Sequence, residues 1–414
     1  IIELKGNNTI GAFVRNSYFG NGGTISVNKN STGIYAIYDT AEDVHYNIIS
    51  ASGSNIIIGE NSTGMHIYSK YNNIFLSVHN GDFESKTSIM ANEDADNAVG
   101  ILLDLGEEKS GSNTFTPIIM NMGIIDLKGN RSTGMYLTGK GEVTVFNYID
   151  GRIIIGDSKN VDNPGIGMYS DNPNGTISNA PGVINGFIEV GKNSIGMAGV
   201  NGTTVKNEVG NIVIKGDNSI GMYLSGGTKG FNNGTIKTEG APKNVIGVFV
   251  GQNAEFTNNG NIIINSEGGA GIVVAGGIIK NYGNIQVSGG AVRERVESPL
   301  LAISLSDRKI PVKKDMRVYV DSLGKTNPIG GLANLGLENT ELLIGAEATE
   351  KTNATEVTVG KDVLDPFNKS IKESNIPYWT VGSGSLIWEA DPEIKDNRVE
   401  KVTLRKQSYT KFAD

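Results

Sequence analysis

The chain has 414 residues, a formal net charge of −8, 56 glycines and no cysteine. The lack of cysteine excludes a disulfide scaffold, a zinc finger and a thioredoxin-like redox site. The negative charge argues against a nucleic-acid-binding protein, because the phosphate backbone selects clustered lysine and arginine. No metal or cofactor site is predicted, since the three histidines lack zincin spacing.

A repeat extends from the first residues to about residue 292. Each period holds a short apolar strand, the motif Asn-Ser-x-Gly and a second apolar or aromatic stretch, as in residues 212–224. The spacing of the motif glycine is 22 to 36 residues, about 29 on average, which is typical of solenoid proteins. This glycine recurs at Gly11, Gly33, Gly64, Gly100, Gly134, Gly167, Gly196, Gly221, Gly247 and Gly271.

Side chains alternate between apolar and polar within the strands, as in Ile188-Glu-Val190, which indicates one packed and one solvated face. Motifs such as Asn258-Asn259-Gly260 predict turns, because Asn and Gly tolerate left-handed backbone angles. Each period is therefore predicted as turn, strand, turn, strand. No amphipathic helix occurs before residue 292, so residues 1–292 are predicted to form an all-β parallel β-helix of about ten coils with inserted loops.

The composition changes after residue 292. Charged residues become about twice as frequent, and both tryptophans, Trp379 and Trp388, lie in this part. We expect a β-rich domain over residues 293–414 that caps the open strand edge of the solenoid and folds first, as an autochaperone does. Its loops are predicted at residues 324–331 and 362–377, and its strands at residues 316–320, 341–345, 356–359, 385–388 and 398–404.

Three repeated features have both a structural and a functional interpretation. The sequons at Asn30 and Asn61 belong to the repeating motif, which favours turn chemistry over glycosylation. A methionine stripe is predicted to lie in the core, although it would also suit docking. A tyrosine stripe favours packing at the shoulder of the coil over glycan stacking. The stripes consist of Met65, Met135, Met168, Met197 and Met222, and of Tyr136, Tyr169 and Tyr223.

Enzyme signatures are weak in this sequence. Gly324-Lys325-Thr326 resembles the end of a P-loop, but Tyr319 occupies the position of its first glycine. No Gly-x-Ser-x-Gly motif is present. An acidic series suits a solvated loop better than a calcium site or a paired-carboxylate hydrolase, because it lacks the EF-hand order. The series is Glu93, Asp94, Asp96, Asp104, Glu107 and Glu108.

The period over residues 207–224 resembles the passenger repeats of large fusobacterial autotransporter adhesins, which use type V secretion. The stretch Trp388-Glu-Ala-Asp-Pro392 resembles the region where such a passenger approaches its membrane barrel. The resemblance implies a right-handed parallel β-helix on the bacterial outer membrane, at the cell surface, attached through a barrel outside this sequence. It also implies adhesion to host cells or other bacteria, and a cysteine-free chain suits passage through the periplasm.

The leading hypothesis is a monomeric adhesin rod whose loops bind a host-cell protein, a glycan or a partner bacterium, without catalysis. The alternatives are a spacer stalk and, behind it, a polysaccharide lyase or hydrolase. The loops that lengthen the period are residues 39–47, 68–98, 104–117 and 170–186. The candidate ligand-binding residues within them are His45, Tyr46, Tyr68, Tyr71, Asp104 and Glu107.

Overall fold

The computed structural model describes residues 1–40, 46–50, 53–81, 87–109, 115–180 and 186–296, and six strands between residues 317 and 406. The chain divides into two compact units, Ile1–Arg308 and Lys309–Asp414. All regular structure in the described residues is β-strand. This confirms the predicted all-β class.

The first unit is a parallel β-helix built from three sheets, A, B and C. Sheet A contains β1 (Ile2–Leu4), β4 (Thr24–Val27), β7 (Asn55–Ile58), β10 (Ser88–Ala91), β13 (Ile124–Leu127), β16 (Arg152–Ile155), β19 (Phe187–Val190), β22 (Asn211–Ile214), β25 (Thr235–Thr238), β28 (Asn261–Asn265) and β31 (Asn284–Ser288). Sheet B contains β2 (Ile10–Arg15), β5 (Thr32–Tyr38), β8 (Thr63–Tyr71), β11 (Val99–Glu108), β14 (Thr133–Gly139), β17 (Gly165–Ser170), β20 (Ser194–Gly199), β23 (Ile220–Leu224), β26 (Ile246–Val250), β29 (Ala270–Val274) and β32 (Val292–Val296). Sheet C contains β3 (Phe19–Asn21), β6 (Tyr46–Ser50), β9 (Leu76–Asn80), β12 (Ile118–Asn121), β15 (Val143–Asn147), β18 (Gly175–Asn179), β21 (Thr204–Asn207), β24 (Lys229–Asn232), β27 (Glu255–Asn258) and β30 (Ile278–Asn281).

Each coil therefore has three strands, and the prediction of two strands in each period was wrong. The missed strands form sheet C. They are short, and all of them except β6 end on an asparagine, which in several coils belongs to the Asn-Gly motifs that the sequence marks as turns. In the structure Asn232 closes β24, and the following Asn233-Gly234 turns the chain into the next sheet A strand.

A line of stacked isoleucines, the isoleucine line, lies on the core-facing side of sheet A. Eleven isoleucines pair in register from coil to coil, and all but the first are buried. Neighbouring strands are about 4.8 Å apart, so identical β-branched side chains stack with the same restricted rotamer. The line consists of Ile2, Ile25, Ile56, Ile89, Ile125, Ile153, Ile188, Ile212, Ile236, Ile262 and Ile285. The five methionines of the stripe are also buried, which confirms their predicted core position.

The motif glycines form a second line, in sheet B. A Cβ atom on Gly134 would lie 2.5 Å from the carbonyl oxygen of Gly167 and 2.5 Å from Cγ2 of Ile153. Real Cβ atoms do not approach backbone so closely, so only glycine lets consecutive coils meet here. The other motif glycines are confined in the same way by the next coil.

The Asn-Ser part of the motif forms the turn between sheets A and B, as predicted. Asn30, Asn61 and Asn218 have φ values of 60°, 50° and 56°, in the left-handed region that asparagine tolerates. Oγ of Ser62 accepts a 2.9 Å hydrogen bond from the backbone N–H of Ser31 in the preceding coil. Asn30 and Asn61 are only 8% and 9% exposed.

A line of stacked asparagines, the asparagine line, lies on the core-facing side of sheet C. It was not predicted from the sequence. Each Nδ2 atom except that of the last member donates to Oδ1 of the asparagine in the next coil at 2.7 to 2.9 Å. Because an amide is both donor and acceptor, identical side chains satisfy one another when stacked. The line consists of Asn80, Asn121, Asn147, Asn179, Asn207, Asn232, Asn258 and Asn281.

The second unit contains a parallel pair, β33 (Arg317–Val320) with β34 (Glu341–Ile344), and an antiparallel sheet. That sheet has the order β35 (Glu356–Val359), β38 (Arg398–Lys406), β37 (Leu386–Lys395) and β36 (Tyr378–Val381). The five predicted strands are present, although β37 extends seven residues beyond its predicted end, and β36 is additional. The predicted loops at residues 324–331 and 362–377 lie outside the described residues. The β-helix continues through β32, beyond residue 292, and the capping role of this unit stays a prediction.

Candidate functional site

The six sequence-predicted residues lie in different environments. His45 and the side chain of Tyr46 are outside the described residues. Tyr68 and Asp104 pair with each other in sheet B and are each 5% exposed. They lie in regular strands, which corrects their predicted placement in inserted loops; strands β8 and β11 are simply longer than the repeat suggests.

The remaining two residues lie at the end of the same strands. Tyr71 ends β8 and packs against the core, opposite Glu108. Glu107 is exposed, and its Oε1 atom is 3.9 Å from Nζ of Lys140. A surface depression of about 410 Å³ adjoins Glu107 and is also lined by Glu142. The structure therefore brings Tyr68 to Asp104 but separates both from the exposed Glu107.

Tyr68 and Asp104 belong to a buried ionisable cluster on the outward side of sheet B, with His66, Tyr136 and Asp171. Alternation places these side chains opposite the core-facing methionines. Oη of Tyr136 donates a 2.7 Å hydrogen bond to Oδ2 of Asp171. Neither Nε2 of His66 nor Oδ1 of Asp171 has a hydrogen-bond partner among the described residues.

Burial governs the protonation of this cluster. It raises the pKa of Asp104 to about 7, and the nearby Asp171 carboxylate adds to that rise. It lowers the pKa of His66 to about 3, so the imidazole is neutral at pH 7. Burial also raises the pKa of Asp171, against the opposing effect of the hydrogen bond from Tyr136.

The tyrosine stripe is buried and stacked with aromatic neighbours. The ring centroids of Tyr136 and Tyr169 are 4.9 Å apart, and those of Tyr223 and Phe249 are 5.0 Å apart. All three tyrosines are at most 2% exposed. This confirms the favoured interpretation, in which the tyrosines pack at the shoulder of the coil rather than forming an exposed ladder on which sugar rings stack.

A second depression is a corner groove of about 850 Å³ where sheet A strands turn into sheet B strands. It crosses successive coils because the same turn recurs in each of them. Ile154 and Ile155 contribute its apolar part. Its charged lining consists of the carboxylates Glu60, Glu93, Asp94, Asp96, Asp157 and Glu189 and the lysines Lys128, Lys159 and Lys215.

Some of the charged side chains in the groove form ion pairs with one another. Nζ of Lys159 is 2.5 Å from Oδ2 of Asp96, and Nζ of Lys215 is 3.0 Å from Oε2 of Glu189. Glu93 and Asp94 form no ion pair with any described residue. The groove therefore combines ion-paired side chains with two carboxylates, Glu93 and Asp94, that have no ion-pair partner among the described residues.

Three carboxylates of this groove were predicted as part of the acidic series, but the groove itself was not predicted. Glu93, Asp94 and Asp96 follow one another in sequence, whereas Lys159 and Lys215 come from later coils. Their shared position just after a sheet A strand is the signal that could have joined them. Within the described part of the chain, no cluster of histidine and acidic side chains is arranged to hold a metal ion.

Comparisons with known proteins add no relative. No family model matches the chain, and neither a curated protein nor a solved structure does. In the described residues no helix has the length and apolarity needed to cross a membrane.

Proposed function

We propose that this chain is an adhesive rod on the bacterial cell surface, part of an autotransporter passenger, and that the corner groove binds its receptor. The single observation that carries this is the groove itself, which crosses several coils of a regular stack. Coils paired by continuous sheets and side-chain lines hold the groove walls at fixed spacing. A ligand that spans several coils thus meets a preorganised surface.

The charge of the groove defines the ligand that suits it. Its lining holds six carboxylates and three lysines. Such a surface attracts a basic protein segment, or a glycan that is neutral or carries amino groups, and repels uronic acid chains. Lys159 and Lys215 form ion pairs with Asp96 and Glu189, whereas Glu93 and Asp94 have no ion-pair partner among the described residues and can accept hydrogen bonds from a ligand.

A spacer stalk is the second candidate, and the asparagine line favours it. This line joins eight successive coils through buried amide hydrogen bonds. Cross-coil bonds of this kind resist separation of coils under tension, which is what a stalk requires. In that case the isolated chain binds nothing and only holds a distal tip away from the cell.

Binding measurements with three double variants, each of which removes two carboxylate charges, distinguish these functions. We expect the Glu93→Gln/Asp94→Asn variant to bind host cells or arrayed glycans about tenfold more weakly than wild type, a loss of about 1.4 kcal/mol. The matched control is Glu255→Gln/Glu294→Gln, which removes two exposed carboxylates outside both depressions. The Glu107→Gln/Glu142→Gln variant tests the smaller depression.

Each outcome assigns a function. Weakened binding in the first variant alone supports the corner groove, and weakened binding in the third alone moves the receptor site to Glu107. Equal binding by all three variants overturns the groove proposal, and no binding by the wild-type chain supports the stalk. Release of reducing or unsaturated sugar ends, abolished by Asp104→Ala, would replace both with the lyase or hydrolase alternative.

A further inference from the structure

The asparagine line has a direction along the coils. Each internal member accepts a hydrogen bond at Oδ1 from the coil before it and donates one from Nδ2 to the coil after it, as on the two sides of Asn121. In the two coils before Asn80, the same register position is occupied by Ser50 of β6 and Asn21 of β3. Every strand of sheet C except β6 ends on an asparagine. Ser50 therefore interrupts a series of asparagines that extends from Asn21 to Asn281.

The asparagines on the two sides of Ser50 each have one polar atom without a partner. Nδ2 of Asn21 and Oδ1 of Asn80 are buried and form no hydrogen bond in the described structure. The side chain of Asn21 is otherwise satisfied, because its Oδ1 atom accepts a 3.2 Å hydrogen bond from the backbone N–H of Gly23. Nδ2 of Asn80 donates a 2.8 Å bond to Asn121. The two unpaired atoms are thus the donor and the acceptor that an asparagine at position 50 would satisfy.

The interruption is confined to sheet C. Coil 2 consists of β4, β5 and β6, and in β4 the core residue Ile25 pairs with Ile2 and Ile56 and is 1% exposed. In β5, a Cβ atom on Gly33 would lie 2.6 Å from the carbonyl oxygen of Gly64, the same close approach as at the other motif glycines. Coil 2 is therefore stacked like its neighbours in sheets A and B.

Side-chain hydrogen bonds make the opening of β6 easier than that of the later strands of sheet C. When β15 leaves its sheet, Asn147 loses its buried bonds to Asn121 and Asn179. β6 loses no such bond, and its departure lets water reach the two unpaired atoms of Asn21 and Asn80. A buried polar group without a partner destabilises the closed state. Local opening occurs where few buried contacts are lost.

We infer that β6 is a strand built to open locally, leaving sheet C while sheets A and B keep the coils stacked. The strand begins at Tyr46 and directly follows His45 in the sequence, and both are sequence-predicted ligand residues. The segment that carries these residues therefore changes its conformation without loss of the β-helix. Opening also uncovers the backbone edges of β3 and β9, the strands that pair with β6.

Substitutions of Ser50 in the full chain test this inference. Hydrogen exchange of the backbone amides in β6 is measured relative to that in β4 and β5 of the same coil. Ser50→Asn supplies the missing donor and acceptor, and we expect it to slow the relative exchange of β6 about tenfold. Ser50→Leu is the matched control, because leucine has the same branching as asparagine but cannot form hydrogen bonds. It should not slow β6.

The reciprocal variant Asn147→Ser moves the interruption to the middle of the β-helix. We expect the amides of β15 to exchange about tenfold faster relative to those of β13 and β14 in the same coil. An equal rise in all three strands would show that the coil opens as a unit and would overturn the inference. Unchanged exchange of β6 in Ser50→Asn, or equal slowing by Ser50→Leu, overturns it as well.

Discussion

The β-helix has two buried polar regions on different sheets, the asparagine line of sheet C and the ionisable cluster of sheet B. In the asparagine line every internal amide donates to the next coil. In the cluster, His66 and Asp171 each retain a polar atom without a hydrogen-bond partner in the described structure. The asparagine line leaves a buried atom without a partner only at its first member, where Oδ1 of Asn80 accepts no hydrogen bond from a described residue, whereas the cluster has such atoms on two of its five members.

The difference follows from side-chain chemistry. A primary amide carries donor and acceptor on one neutral group, so stacking identical copies satisfies each of them. The cluster instead mixes carboxyl, imidazole and phenol groups from different coils, so its side chains are not stacked as identical copies that satisfy one another, and burial penalises their charged forms. The asparagine line carries no charge and therefore stabilises the stacked coils at all pH values. The ionisable cluster makes the free energy of unfolding depend on pH.

Interrupting the asparagine line should have the largest effect. Asn147→Ala leaves the amide of Asn121 and Oδ1 of Asn179 without their partners in the interior. At roughly 2 kcal/mol for each buried orphan, we expect a loss of about 4 kcal/mol in unfolding free energy. Denaturant unfolding measures it. Asn281→Ala, at the partly exposed end of the line, is the control, and an equal loss there would contradict the line as a cooperative unit.

Removing the charge of Asp104 should have a pH-dependent effect of up to about 4 kcal/mol. The folded-state pKa of about 7 exceeds the usual value of 3.8. The contribution of Asp104 to stability is therefore greatest below pH 4 and falls as pH rises to 7, opposite in direction to the contribution of His66, whose pKa is lowered to about 3. Asp104→Asn should flatten this profile and unfold at higher denaturant than wild type at pH 8. The exposed Glu142→Gln should keep the wild-type profile; an unchanged profile in Asp104→Asn would show that Asp104 does not titrate this way.

A methyl group that pushes two coils apart should weaken both polar regions at once. Gly134→Ala places a methyl group against the Gly167 carbonyl, in the coil that also contains Tyr136 and Asn147. Overpacking of this kind costs about 3 kcal/mol. Gly20→Ala is the matched control, because its added Cβ meets no atom within 4 Å. Calorimetry should show a lower melting temperature for Gly134→Ala only, and equal melting temperatures would contradict the close approach.

Altering the groove should have the smallest effect on stability. Nζ of Lys159 reaches Asp96, but the lysine side chain is 72% exposed. Exposed ion pairs contribute less than about 1 kcal/mol and weaken with salt. Lys159→Gln should therefore unfold within about 1 kcal/mol of wild type, and the difference should disappear at high salt in denaturant titrations. A larger, salt-independent loss would place this pair among the structural contacts.

The β-helix was predictable because each coil repeats the same local chemistry. The glycine line, the Asn-Ser turn and the alternating isoleucines are visible as periodic residues, and each has one dominant structural role. The third strand was not predictable from Asn232-Asn233-Gly234. An asparagine that ends a strand and one that begins a turn look identical until the neighbouring coil supplies the hydrogen-bond partner.

The sequence by itself determined the repeat, the all-β class and the strands of the second unit, because strand periodicity and turn residues act over a few neighbouring positions. Only the tertiary structure decided the sites. Lys159 pairs with Asp96, which is 63 residues away in the sequence. Asp104, which was predicted in a loop, lies in a buried strand beside Tyr68. Burial and charge pairing depend on which coils are neighbours, and stacking establishes those neighbours.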